Sequence, residues 1–253
     1  MAISEPVARP EAAGRPAVKN PYSRLPDWLY PSFVVVALSA FGVYAAWVVL
    51  FQPAGYHQPY LSPFDSPWIK TPIPPGILVA WAPLAFRLTC YYYRKAYFRS
   101  FFWHPRSCAV PEPARGKYRG ETAFPWILNN FHRFAFYATV VQVAFLWFDA
   151  IVAFDFNGRF GIGFGTLLML VNVVLLSGYT FGCHAFRHLA GGGLDCFTCS
   201  RSAQARFRLW RGITVLNIRH DRWAWASLTS VLATDIYIRV LMHGWLIDPR
   251  WIS

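Results

Sequence analysis

GIGFGTLLMLVNVVLLSGYTFGCHAFRH, residues 161 to 188, is the stretch whose reading decides the fold. From Ile162 to Phe186 it carries no Asp, Glu, Lys or Arg. A run of about 20 such residues crosses the hydrocarbon core of a bilayer as a helix. The stretch therefore predicts a membrane span over 162–186, stopped by Gly191, Gly192 and Gly193. Its last turns also hold a thiol and two imidazoles. His184 and His188 are four residues apart and share a face if the helix continues, while Cys183 lies about 100° round from His184.

Working outward, four more apolar stretches can be drawn, over 32–51, 76–97, 126–153 and 220–245. The predicted architecture is all-α: an integral membrane bundle of five transmembrane helices over 32–245, between a polar tail (1–31) and an outer C-terminal tail (246–253). Composition agrees, with 55% hydrophobic and only 14% charged residues against about 25% charged in soluble domains. The polar start of the chain is neither a signal peptide nor a span. Pro83 predicts a kink in the second span.

The net charge of +12 does not argue for nucleic acid, because the basic residues sit in connectors between apolar spans. Four Lys and Arg in the tail, eight from Arg94 to Arg133 and seven from Arg187 to Arg222 stand on one side, against Lys70, Arg159 and Arg250 on the other. That asymmetry places the N-terminus in the cytoplasm and the C-terminus outside. The protein is expected to be a multi-pass membrane protein in contact with lipid headgroups.

The same topology gathers ligand-type side chains at one depth. Span two ends at Cys90, span three begins with His132, span four ends with Cys183, His184 and His188, and span five begins with His220. Cysteine is often plain core filling. Imidazoles at a membrane boundary need partners, however, and thiolates with imidazoles suit an iron-sulfur or zinc centre, whereas two opposed histidines suit haem. The Cys196/Cys199 pair is a reserve, since a cytoplasmic CxxC is expected to stay reduced. Arg87, Asp235 and Arg239 are charges inside predicted spans. Asp235 with Arg239 is either a structural i,i+4 pair or part of a proton path or a quinone anchor. Trp126, Tyr93, Trp223 and Arg187 are candidates to line a flat, mostly apolar quinone pocket.

The motifs Thr89-Cys90-Tyr91-Tyr92-Tyr93-Arg94-Lys95-Ala96-Tyr97, Cys108-Ala109-Val110, Cys183-His184 with Arg187-His188, and Thr234-Asp235-Ile236-Tyr237-Ile238-Arg239 resemble those of the membrane anchor (SdhC) of actinobacterial-type succinate dehydrogenase, respiratory complex II. The resemblance covers about residues 75 to 245. It implies a quinone-reducing subunit partnered by a flavoprotein and an iron-sulfur protein, and capable of higher assembly. It further implies a haem-free anchor with a Rieske-type two-iron, two-sulfur cluster and a quinone such as menaquinone. Such a cluster takes two Cys and two His, drawn first from Cys90, Cys183 and two of His132, His184 and His188, with His220 in reserve. Two alternatives remain open: a b-type haem between His132 and His188, and a non-redox transporter or structural bundle.

Overall fold

The computed structural model describes residues 28–69, 72–101 and 127–252. Helix α1 (Leu29–Phe51) is followed by a short β hairpin, β1 (Tyr56–His57) with β2 (Tyr60–Leu61), and then by α2 (Pro75–Val79), α3 (Trp81–Thr89) and α4 (Tyr91–Phe101). Next come α5 (Leu128–Val152), strand β3 (Ile162–Gly163), α6 (Phe164–Phe181), α7 (His184–Gly191), α8 (Arg201–Asn217) and α9 (His220–Met242). The chain closes with β4 (Arg250–Ile252), paired antiparallel with β3.

Among the described residues three helices are long and apolar enough to cross a membrane: Leu29–Phe51, Asn130–Val152 and Phe164–Phe181. The first has a mean hydropathy of 2.3 and is mostly exposed, as a lipid-facing helix should be. Helix α9 is equally long, but Asp235 and Arg239 are buried within it.

The stretch 76–97 is divided twice, once at the kink that Pro83 predicts and once where the sequence predicts none. Pro83 has no N–H to offer the Val79 carbonyl and its ring crowds that oxygen, so α2 ends at Val79 and α3 starts at Trp81. A second joint falls at Cys90, whose extended backbone (ψ 129°) separates α3 from α4. The stretch 162–186 is likewise divided. Helix α6 stops at Phe181, and Cys183, again extended (ψ 149°), starts α7 in a new direction. Arg206 of α8 closes the end of α7, donating to the carbonyls of Ala190 and Gly192, each at 2.9 Å.

Helix α6 packs on α9, α3 on α5, and α5 on α6. Two apolar clusters result. One surrounds Tyr60, Leu146, Val173 and Ile238; the other holds Phe86, Cys90, Tyr93, Phe136, Tyr179, Cys183 and Ala224, where α6 ends and α9 begins. At the opposite end Asp248 accepts from the hydroxyls of Tyr60 and Tyr237, each at 2.6 Å, and from the Gly165 N–H at 3.0 Å, tying the C-terminal tail to the start of α6.

Candidate metal and electron-transfer site

The joints at Cys90 and Cys183 each present a cysteine to the same apolar cluster. Cys90 and Cys183 are free, 2% and 1% exposed, and within electrostatic reach of one another. Each faces an imidazole. His132 of α5 places Nε2 2.9 Å from the Cys183 sulfur, and His220 at the start of α9 places Nε2 3.6 Å from the Cys90 sulfur. Two thiols and two imidazoles from different elements thus meet as two pairs. Among the described residues no group of three or more His, Cys, Asp or Glu side chains is arranged to hold a single metal ion.

Aromatic rings link the two pairs. His132 stacks on Phe86 (centroids 4.8 Å), Phe86 meets Tyr179 edge-on (5.3 Å), and Tyr179 stacks on His220 (4.9 Å). The Thr89 hydroxyl lies 2.8 Å from His132 Nδ1 and fixes that ring's rotation. His220 Nδ1 is buried without a hydrogen-bond partner. An unpaired buried nitrogen is costly, and a metal ligand bond would satisfy it. Arg87 bonds to Tyr93 and to Ser227 and lies over the Tyr179 ring at 4.7 Å, placing a guanidinium within electrostatic reach of His220.

The remaining sequence candidates fall elsewhere. His184 and His188 are exposed on α7, because the joint at Cys183 redirects the chain; His184 stays within electrostatic reach of His132. The reserve thiols Cys196 and Cys199 form a disulfide, their Cα atoms being 5.8 Å apart, so neither supplies a thiolate and the expectation of reduced cysteines there is corrected. Trp126 and Cys108 lie outside the described residues. Tyr93 is buried and donates to the Ala224 carbonyl at 2.7 Å; Trp223 packs on Gly178 with its indole N–H buried and unpartnered. Arg187 lies over the Trp210 ring at 4.5 Å. Asp235 and Arg239 do pair, at 3.0 Å, at the far end of α9. Sequence reasoning missed Thr89, Phe86 and Tyr179. The only signals were that Thr89 precedes Cys90 and that Tyr179 sits one helical turn before Cys183.

Residues 29–244 match the family described as actinobacterial succinate dehydrogenase subunit SdhC. The chain belongs to the SdhC family. An SdhC-type chain is the membrane anchor of succinate dehydrogenase, and the apolar helices above suit that role. Family membership displaces the transporter and structural-bundle readings. Among solved structures, a chain of the Mycobacterium smegmatis Sdh1 complex in the apo form is similar, with 36% identity, a TM-score of 0.79, and coverage of 98% of both chains. A comparison with the curated proteins finds no match.

Proposed function

We propose that this SdhC-type anchor relays electrons from an iron-sulfur subunit to a membrane quinone, of the menaquinone class, through a Rieske-type two-iron, two-sulfur cluster. Cys90, Cys183, His132 and His220 would hold the cluster. That donor set, meeting from separate elements inside one apolar cluster, is the observation that carries the reading. Two thiolates with two imidazoles are the ligands such a cluster requires. The haem reading is less well supported, since it needs His188, which is exposed at the end of α7.

When bound, the cluster supplies one-electron transfer. The chain's own residues do the rest. Thr89 orients His132, the Phe86 and Tyr179 rings hold both imidazoles in plane, and the surrounding apolar side chains exclude water. Arg87 adds a positive charge that favours the arrival of an electron. The unpartnered Trp223 N–H offers a donor to a quinone carbonyl, with Tyr93 close to Arg87 on the same side of the bundle. Five crossings follow if the jointed α2–α4 segment and α9 are added to the three apolar helices, with the cysteine end towards the cytoplasm. The basic connectors there would dock the iron-sulfur subunit, itself carried by a flavoprotein.

The test uses the purified complex with all partner subunits. His220→Ala and Cys183→Ser should each remove one two-iron cluster's worth of iron and acid-labile sulfide, together with its paramagnetic resonance signal. Quinone reduction should disappear, while succinate oxidation by an artificial dye persists. Unchanged iron and unchanged quinone reduction in both variants would refute the assignment.

A further inference from the structure

Helix α9 buries polar side chains along most of its length. Ser227, Ser230, Thr234 and Asp235 are 0–9% exposed and lie on one side of the helix, spanning about 12 Å at 1.5 Å per residue. Neighbouring helices add to the row. Arg87 donates to the Ser227 hydroxyl at 3.1 Å, and Ser230 donates to Asn172 of α6 at 2.9 Å. Hydroxyls in helices often bond their own i−4 carbonyl, as Thr234 does with Ser230 at 2.8 Å. A buried Asn and a half-buried Arg in the same row are not explained that way, and polar groups inside a membrane bundle are costly to keep.

The row ends, away from the cysteines, in a charge imbalance. Asp235 accepts from Tyr44 at 2.6 Å and from Ser62 and pairs with Arg239. The same guanidinium reaches Asp65 of the α1–α2 connector at 3.6 Å. Two buried carboxylates therefore share one cation, and a proton on one of them removes the excess negative charge. Burial raises the Asp65 carboxyl above its ordinary value, with the Asp235 charge adding to the rise, against lowering by the Gly55 N–H and Arg239.

We propose that this row is a proton-conducting seam: the Asp65/Asp235 pair takes a proton from the outer aqueous side and passes it, through water ordered by the Asn172, Ser230 and Ser227 side chains, to a quinone bound beside Arg87 and Tyr93. The proposal rests on the quinone-reducing role. Reduction of a quinone to a quinol takes two electrons, which the iron-sulfur subunit supplies, and two protons, which the seam delivers from the outer side. The row ends at Ser227 and Tyr93, whose hydroxyl oxygens both accept from Arg87; the guanidinium stays protonated throughout and marks the end of the path without carrying a proton itself.

The complete complex in liposomes, with a pH-sensitive dye in the lumen and an ionophore collapsing the membrane potential, tests this. Externally added succinate does not cross the membrane, so only complexes whose partner subunits face the medium turn over, and in these the Asp65 end faces the lumen. The lumen should lose two protons per quinone reduced. Asp235→Asn should slow quinone reduction about 100-fold and end lumenal uptake while leaving dye-linked succinate oxidation at the wild-type rate. Ser230→Ala with Thr234→Val keeps the charges and serves if Asp235→Asn does not assemble; it should slow lumenal uptake in step with quinone reduction. Quinone reduction with an unchanged lumenal pH, or an assembled Asp235→Asn complex with wild-type uptake, overturns the seam alone. Absence of quinone reduction by the wild-type complex overturns the relay and the seam together.

Discussion

Gly178→Ala should damage the proposed cluster site through one methyl group. A Cβ at position 178 would lie 2.5 Å from Trp223 Cε3 and 2.8 Å from Cζ3. Ordinary contact begins near 3.4 Å, so the indole must retreat about 0.9 Å or α6 and α9 must part by that much. Gly178 adjoins Tyr179, which stacks on His220, and His220 is three residues from Trp223 on α9. The displacement therefore falls on the stacked pair. Overpacking of this kind costs about 1–3 kcal/mol, and a misplacement near 1 Å at a reacting centre slows turnover by about 100-fold. The matched control is Gly212→Ala in α8, where an added Cβ meets nothing within 4 Å; it should stabilise by about 0.4–1 kcal/mol through the unfolded chain. The assay is thermal unfolding of the assembled complex, with iron content and quinone reduction measured on the same samples. If Gly178→Ala keeps the wild-type midpoint, iron and rate, the close approach of α6 to α9 does not set the geometry of the site.

Other outcomes follow from single contacts. Thr89→Val keeps the shape but removes the partner of His132 Nδ1, and should weaken metal retention about 10- to 100-fold, read as iron loss during dialysis against a chelator. Cys196→Ser with Cys199→Ser should leave iron and quinone reduction at wild-type levels, since both sulfurs are committed to a disulfide; loss of iron would return them to the ligand set. Asp248→Asn loses charge-assisted bonds from Tyr60 and Tyr237 and should cost about 1–3 kcal/mol of stability without changing iron content, as measured by denaturation and metal analysis.

The spans were legible because hydropathy over some 20 residues is a strong signal, and α1, α5 and α6 carry it. The depth shared by Cys90, His132, Cys183 and His220 was legible for the same reason: helix ends on one side of a bundle lie at one level. The choice among imidazoles was not. His184 and His188 do share one helical face, but it belongs to α7 and not to a continued α6: a single extended residue, Cys183, breaks the helix after Phe181 and leaves both rings exposed. Gly182 hints at that joint. Nothing in Arg87-Leu88-Thr89-Cys90-Tyr91 hints at the one at Cys90, where no glycine or proline marks the turn and tertiary packing alone decides.

These joints explain how the site can be built at all. In an unbroken helix a cysteine's direction is fixed by its place in the 3.6-residue repeat, and its backbone N–H and C=O are spent within the helix. At an extended residue between two helices the side chain is released from that repeat. Cys90 and Cys183 can then point at a common centre although α3 and α6 pack against different neighbours. The cost is a lapse in helical hydrogen bonding at membrane depth, which is tolerable only where it is buried in protein. At the Cys183 joint the Cys183 N–H takes the Thr180 carbonyl at 3.3 Å and the Cys183 carbonyl takes the Arg187 N–H at 3.1 Å; at the Cys90 joint the equivalent bonds are 3.3 Å from the Cys90 N–H to Arg87 and 2.9 Å from the Arg94 N–H to Cys90. Each of the two cysteines thus keeps its own N–H and C=O satisfied while its thiol is buried. A Cβ at Gly182 would lie 2.6 Å from the Gly178 carbonyl oxygen and 3.2 Å from Leu216 Cβ, so Gly182→Ala should both destabilise the joint and weaken metal retention, read as a lower unfolding midpoint and a lower iron content on the same samples; wild-type values of both would show that the joint does not depend on this close approach.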